Sequence, residues 1–292
     1  MAGFKQVFEF LKVVGTSTFS QLVGVFGVFF AAGLVMYFLA RFTRNSFAKS
    51  RNYKLDIILT GWLGTPVHEL GHAFFCLIFL HRIDKIRLFN LDPVDGSLGY
   101  VHHSYNRNNL YQRIGNLFIG AGPVIFGAGV LYAVMIFLLP NPESITTVIS
   151  SSDLRFGNIM NLSHQWESIA NAGKEIITSI FHPGNFSSIS FWIFIYLSLA
   201  IASHMELSPS DLKGMLSGLG IIALFLFVVN FIALSFGYEI SSNVLRINAY
   251  TGILFGLFLY AIVISLINFL VSYLLLSVYT FIRYKQLINP VF

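Results

Sequence analysis

Charge is scarce in this chain. Of its 292 residues only 11% are Asp, Glu, Lys or Arg, while 55% are hydrophobic and 16% aromatic. A soluble domain carries about a quarter charged residues, so the composition argues against a soluble globular fold. The abundance of Phe, Leu and Ile argues equally against disorder. Cysteine is nearly missing too. Cys76 stands alone, which excludes a disulfide framework and any zinc site built from paired cysteines. Also lacking is the clean apolar core of a cleaved leader, because Lys5, Glu9 and Lys12 interrupt the first residues. A net charge of +5 does not point to nucleic acid. The basic residues sit in short segments between apolar runs, where positive charge sets membrane orientation.

What is present is long apolar runs. Residues 21–40, 55–80, 114–139, 189–204, 212–234 and 250–282 each approach or exceed the roughly 20 residues that cross a bilayer. The expected fold is an all-α polytopic membrane protein of about six transmembrane helices, forming one integral membrane domain over residues 1–292. Residues 1–54 hold the N-terminal segment and first span. Phe4, Val7, Phe8 and Leu11 recur there at helical spacing, as in a surface helix or the first turns of a longer one. Residues 41–54 are expected to form a dense positive loop. Residues 140–188 are a polar insert expected to hold an extramembrane subdomain or amphipathic helices. Residues 189–236 give two spans and 237–292 the last, with Tyr273, Tyr279 and Tyr284 placed for an aromatic belt.

Residues 83–105, between the second and third spans, read differently. Ile86, Leu88 and Asn90 alternate with Lys85, Arg87 and Phe89. Asp92-Pro93-Val94-Asp95-Gly96 then supplies turn chemistry, and Leu98, Tyr100 and Val101 follow. This pattern predicts a small β-hairpin.

The second span contains His68-Glu69-Leu70-Gly71-His72. Residues four apart share a helix face, so both imidazoles reach one metal ion. Zinc accepts imidazole nitrogen and keeps an open position in catalytic sites. Glu69 is a neighbour of the ligands, placed to act as a base rather than to bind. Ionisable groups inside an apolar run cost a few kcal/mol each when they face lipid. They persist where they pack or function, and a metal relieves the burial of a bare carboxylate. Pro66 removes a backbone donor just before the motif and disturbs that turn. Gly61, Gly64 and Gly71 allow another helix to come close.

A catalytic zinc ion takes a third protein ligand. Asp211 lies in Ser208-Pro209-Ser210-Asp211-Leu212-Lys213-Gly214, which also makes a good helix start, with Ser208 as cap and Asp211 at the third position. His204 and Glu206 lie just upstream. His102 and His103 alternate in direction on a strand, so at most one faces the site. Asp95 is better explained by its Asp-Gly turn.

The His-Glu-x-x-His motif within an apolar run resembles the site-2 protease family of intramembrane zinc metalloproteases. Ala121-Gly122-Pro123 resembles the Ala-Gly-Pro element those proteases carry after the zinc helix. The hairpin resembles the β-structure they place at the membrane surface. The family's third ligand is an aspartate in an Asn-Pro…Asp-Gly element. The nearest match is the Ser208–Gly214 segment, which lacks the Asn and separates Asp from Gly.

The resemblance covers residues 55 to about 234 and fits the compact branch without a PDZ domain. It implies zinc, one ion per chain, held by His68, His72 and Asp211, with His204 and Glu206 in reserve. It implies Glu69 as general base and hydrolysis of peptide bonds in transmembrane or membrane-proximal segments. The partners are then the lipid bilayer and a membrane-embedded protein or peptide substrate, with no nucleic acid. The setting is a multi-pass protein of a bacterial inner membrane with cytoplasmic termini. Another membrane zinc hydrolase, or an inactive metal-binding membrane protein, would share part of the pattern. A pure metal carrier, however, has no need of Glu69.

Overall fold

The computed structural model describes residues 2–50, 53–91, 97–150, 162–238 and 248–290. Its order is α1 (Ala2–Lys49), α2 (Tyr53–Asp56), a π turn (Ile57–Gly61), α3 (Trp62–Ile78), β1 (Arg82–Arg87), β2 (Tyr100–Ser104), α4 (Leu110–Leu138), α5 (Glu143–Ser150), α6 (Leu162–Ile180), a 3₁₀ turn (Pro183–Ser187), α7 (Ile189–Ala202), α8 (Pro209–Ser235) and α9 (Asn248–Tyr284).

Four helical segments among the described residues are long and apolar enough to cross a membrane: Phe4–Lys49, Leu110–Leu138, Pro209–Ser235 and Gly252–Tyr284. Their side chains support a lipid setting. Phe225 on α8 is 63% exposed and Leu275 on α9 is 67% exposed, with Leu224, Val228, Leu274 and Val278 beside them. An apolar surface of that extent is not left bare to water.

Of the six expected spans, four correspond to helices of that length among the described residues. The other two runs give shorter helices. The 55–80 run is divided by the π turn ahead of Pro66, and α3 itself has 17 residues. The 189–204 run gives the 14-residue α7. A second difference lies at the N-terminus. Residues 2–49 contain no proline and form one helix of 48 residues, ~70 Å long at the α-helical rise. The first span therefore continues in both directions, and Arg41, Arg44 and Lys49 lie on its last turns rather than in a loop.

Small residues let α4 lie against two neighbours. A Cβ on Gly122 would meet the Gly71 carbonyl of α3 at 2.6 Å, and one on Gly71 would meet the Gly122 carbonyl at 2.7 Å. Two residues earlier, on the opposite side of α4, a Cβ on Gly120 would meet the Asp211 carbonyl of α8 at 2.5 Å, and one on Gly218 would meet Leu117 N at 2.5 Å. Backbones thus touch directly on both sides of α4, the close approach that small residues permit between membrane helices. Below this crossing α4 buries Val124, Ala128, Leu131 and Met135 completely.

Helix α8 is also tied to α1. Gln21 Nε2 donates to Asn230 Oδ1 (3.0 Å), while Asn230 Nδ2 donates to Gln21 Oε1 (2.9 Å) and to Thr18 Oγ1 (3.0 Å). All three residues are buried. Helices α5 and α6 fill part of the 140–188 insert. They are amphipathic as expected, with Ile145, Val148 and Ile149 of α5 and Ile176 and Ile180 of α6 buried.

The hairpin strands are antiparallel. Arg82 pairs with Ser104 and Arg87 with Tyr100, with a bulge between Ile83 and Lys85. The expected Asp-Gly turn, including Asp95, lies outside the described residues. Helix α3 passes into β1 through a Schellman-type end. Leu80 N–H donates to Leu77 O (3.2 Å) and His81 N–H to Cys76 O (2.8 Å). Leu80 takes the left-handed position usually held by glycine, at φ 57°.

His81 then fastens the sheet to α4. A carbonyl only accepts, so His81 Nε2–H donates to Gln112 O (2.7 Å). That leaves His81 Nδ1 as acceptor for His103 Nδ1–H of β2 (3.0 Å). Burial lowers the pKa of both rings. For His103 the value falls to about 4, with His81 as the next contributor.

Candidate metal centre

His68, His72 and Asp211 converge. His72 Nε2 lies 3.3 Å from His68 Nε2 and 3.3 Å from Asp211 Oδ1, and His68 Nε2 lies 4.0 Å from Asp211 Oδ2. Metal–ligand bonds of about 2.0–2.2 Å in a tetrahedral shell place donor atoms about 3.4 Å apart. The three side chains form the one group of this kind among the described residues.

Helix periodicity stacks the two histidines on one face of α3. The glycine contacts on either side of α4 bring α8, and Asp211 with it, to that face. Asp211 carries both roles that its sequence context offered. Oδ2 accepts from Ser208 N–H (2.8 Å), and Ser208 Oγ accepts from Asp211 N–H (3.2 Å), which completes a capping box. Oδ1 remains turned toward His72.

The far sides of both rings settle their protonation. His68 Nδ1 is 2.7 Å from His204 O, and His72 Nδ1 is 2.7 Å from Ile119 O. Carbonyls accept only, so each Nδ1 carries the hydrogen. In the neutral rings both Nε2 lone pairs then face one another and the Asp211 carboxylate. Three acceptors meeting in a buried space repel unless a cation or a proton lies between them. This donor set, with backbone carbonyls orienting the imidazoles from behind, fits a divalent metal ion.

The other candidates stand outside the ligand cluster. The His204 side chain faces Ser203 Oγ at 2.7 Å, and only its main-chain carbonyl serves the site. Glu206 forms an ion pair with Arg44. Neither reserve residue joins the cluster. His103 faces His81, and His102 packs against Tyr100 with ring centroids 4.5 Å apart.

The cluster opens on a cavity of about 1080 Å³. Glu69, 7% exposed, lines it beside Thr65, whose buried hydroxyl has no protein partner. The opposite wall is Ser97–Val101, with His102 and His103. Gly99 lies so close that a Cβ there would meet Glu69 Cγ at 2.8 Å and Thr65 Cγ2 at 2.9 Å. The hairpin borders the site with the β2 side, while none of residues 83–91 contributes to that wall.

Sequence reasoning did not find the carbonyls of Ile119 and His204, because main-chain atoms carry no residue signature. Arg44 was hidden by its reading as part of a loop. No protein-family model, curated protein or solved structure matches the chain.

Proposed function

We propose that the protein is a zinc-dependent membrane endopeptidase of the site-2 protease type, cleaving peptide bonds of transmembrane or membrane-proximal segments. The observation that carries this reading is the meeting of His68, His72 and Asp211 beside Glu69, in one cavity enclosed by helices with lipid-facing surfaces. Two imidazoles and one carboxylate suit zinc and leave a fourth position free. When bound, zinc polarises the scissile carbonyl and acidifies water.

The chain supplies the rest. Glu69 accepts a proton from the attacking water on a carboxylate oxygen and passes it to the leaving nitrogen. The β2 side of the hairpin closes the cavity over Glu69, which limits the water that reaches it. Glu69 also separates this reading from that of a metal carrier, since a base beside two ligands serves a reaction and not storage.

Metal analysis of the purified protein tests the reading together with cleavage of single-span peptides in detergent. About one zinc per chain is expected. Asp211→Ala should lose the metal, and Glu69→Gln should keep it while cleavage falls by at least 10²-fold, the scale of a general base. Undiminished cleavage by Glu69→Gln would refute the mechanism.

A further inference from the structure

Pro123 lies in the middle of α4, where a proline is costly. It removes one helical hydrogen bond, and its ring crowds the carbonyl four residues back. That carbonyl belongs to Ile119. In an unbroken helix Ile119 O would accept from the N–H of residue 123, but proline has none. Ile119 O is also the atom that lies 2.7 Å from His72 Nδ1. The two facts fit together. The acceptor released by one helix is taken up by the imidazole of the next, and Gly71 and Gly122 bring the backbones close enough for it.

We infer that Pro123 is a positioning residue for His72: by leaving the Ile119 carbonyl without its helical donor, it supplies the acceptor that holds His72 in the Nδ1–H form with the Nε2 lone pair aimed at Asp211 and His68. The inference rests on the proposed metal site, but it has a consequence that needs no metal. An alanine at 123 restores an N–H that competes for Ile119 O. His72 then loses its fixed partner, and the Nε2–H form becomes populated. Loss of an orienting contact of this kind costs about 10–100-fold in metal affinity.

The experiment compares three full-length proteins in detergent: the unaltered chain, Pro123→Ala, and a chain with lactic acid at position 123. The last carries an ester in place of the amide, so it lacks the ring and also lacks the N–H. Two quantities are read. One is the ¹⁵N imidazole spectrum of the metal-free protein, with the His72 signals assigned by their loss in His72→Asn. The other is zinc affinity by chelator competition.

The expected result is a pure Nδ1–H signal for His72 in the unaltered and ester chains. The alanine variant should show a mixed signal and a 10–100-fold weaker zinc affinity, which the ester restores. An unchanged His72 signal in Pro123→Ala overturns the inference. So does an ester chain as impaired as the alanine variant, because the ring's packing would then be what matters. Failure of the unaltered chain to bind zinc would overturn the metal reading alone, since the tautomer comparison still decides the role of Pro123.

Discussion

Asp211 divides its carboxylate between two tasks. One oxygen closes the start of α8 and the other faces His72, so replacing it removes a cap and a candidate ligand together. Ser208 separates the two. Ser208→Ala deletes the hydroxyl that accepts from Asp211 N–H and leaves the Ser208 N–H bond to Asp211 in place. It should cost about 1 kcal/mol of stability, the usual worth of an N-cap, with zinc content unchanged; titration in a mild denaturing detergent alongside metal analysis measures both. A proportional loss of zinc would show that the cap also orients the ligand. At this scale the sequence was informative where chemistry sits in side chains. That His68 and His72 share one helix face was legible from spacing alone. Asp211 could not be ranked above His204 or Glu206 without the resemblance, because the crossing that selects it depends on which carbonyls meet glycines.

Between elements, the glycine contacts control how far the ligand-bearing helices stand apart. Gly122→Ala puts a methyl 2.6 Å from the Gly71 carbonyl, and backbone cannot step aside as a side chain can. An overpacking cost of about 1–3 kcal/mol is expected, with loss of zinc as α3 is pushed away. Gly129→Ala, on the same helix with nothing within 4 Å, should leave zinc content unchanged and serves as the control. The hairpin carries a pH dependence. His81 and His103 are held neutral, with folded pKa values below the free histidine value of about 6.5. Protonation therefore favours the open form. The tether is complete above pH ~6.5 and weakens as the pH falls toward about 4, the His103 value. Asp84 opposes this trend at His103, whereas His72 and His102 add to it. Amide protection of Arg82–Arg87 and Tyr100–Ser104 should drop across that range and depend on pH less steeply in His103→Gln, where His81 alone remains to titrate. The hairpin itself was visible as a period-two pattern. Its partner was not, since the His81–His103 contact joins residues that no local period links.

For the whole molecule, a metal that binds the folded chain and not the unfolded one adds RT ln(1 + [L]/Kd) to stability, about 2.7 kcal/mol at a hundredfold excess over Kd. Chelation should lower the thermal midpoint, and zinc should restore it; a midpoint indifferent to both would remove the metal from the account of the fold. Cys76 is buried and unpaired, so reductant should not shift that midpoint. The apolar character of the molecule was fully legible in composition. The helix bounds were not, because hydropathy averages over the π turn within the second run, and because no proline marks where the first run stops.

The amide clamp of Gln21 and Asn230 joins α1 to α8 about five turns along α8 from Asp211. A helix behaves as a stiff rod, and each residue of slippage rotates it by about 100°. Whatever fixes the azimuth of the rod at one end therefore aims the carboxylate at the other. Alignment of the candidate metal centre is thus delegated to a lock buried elsewhere in the helix bundle, and molecules that compete for those amides would detune the centre without ever approaching it.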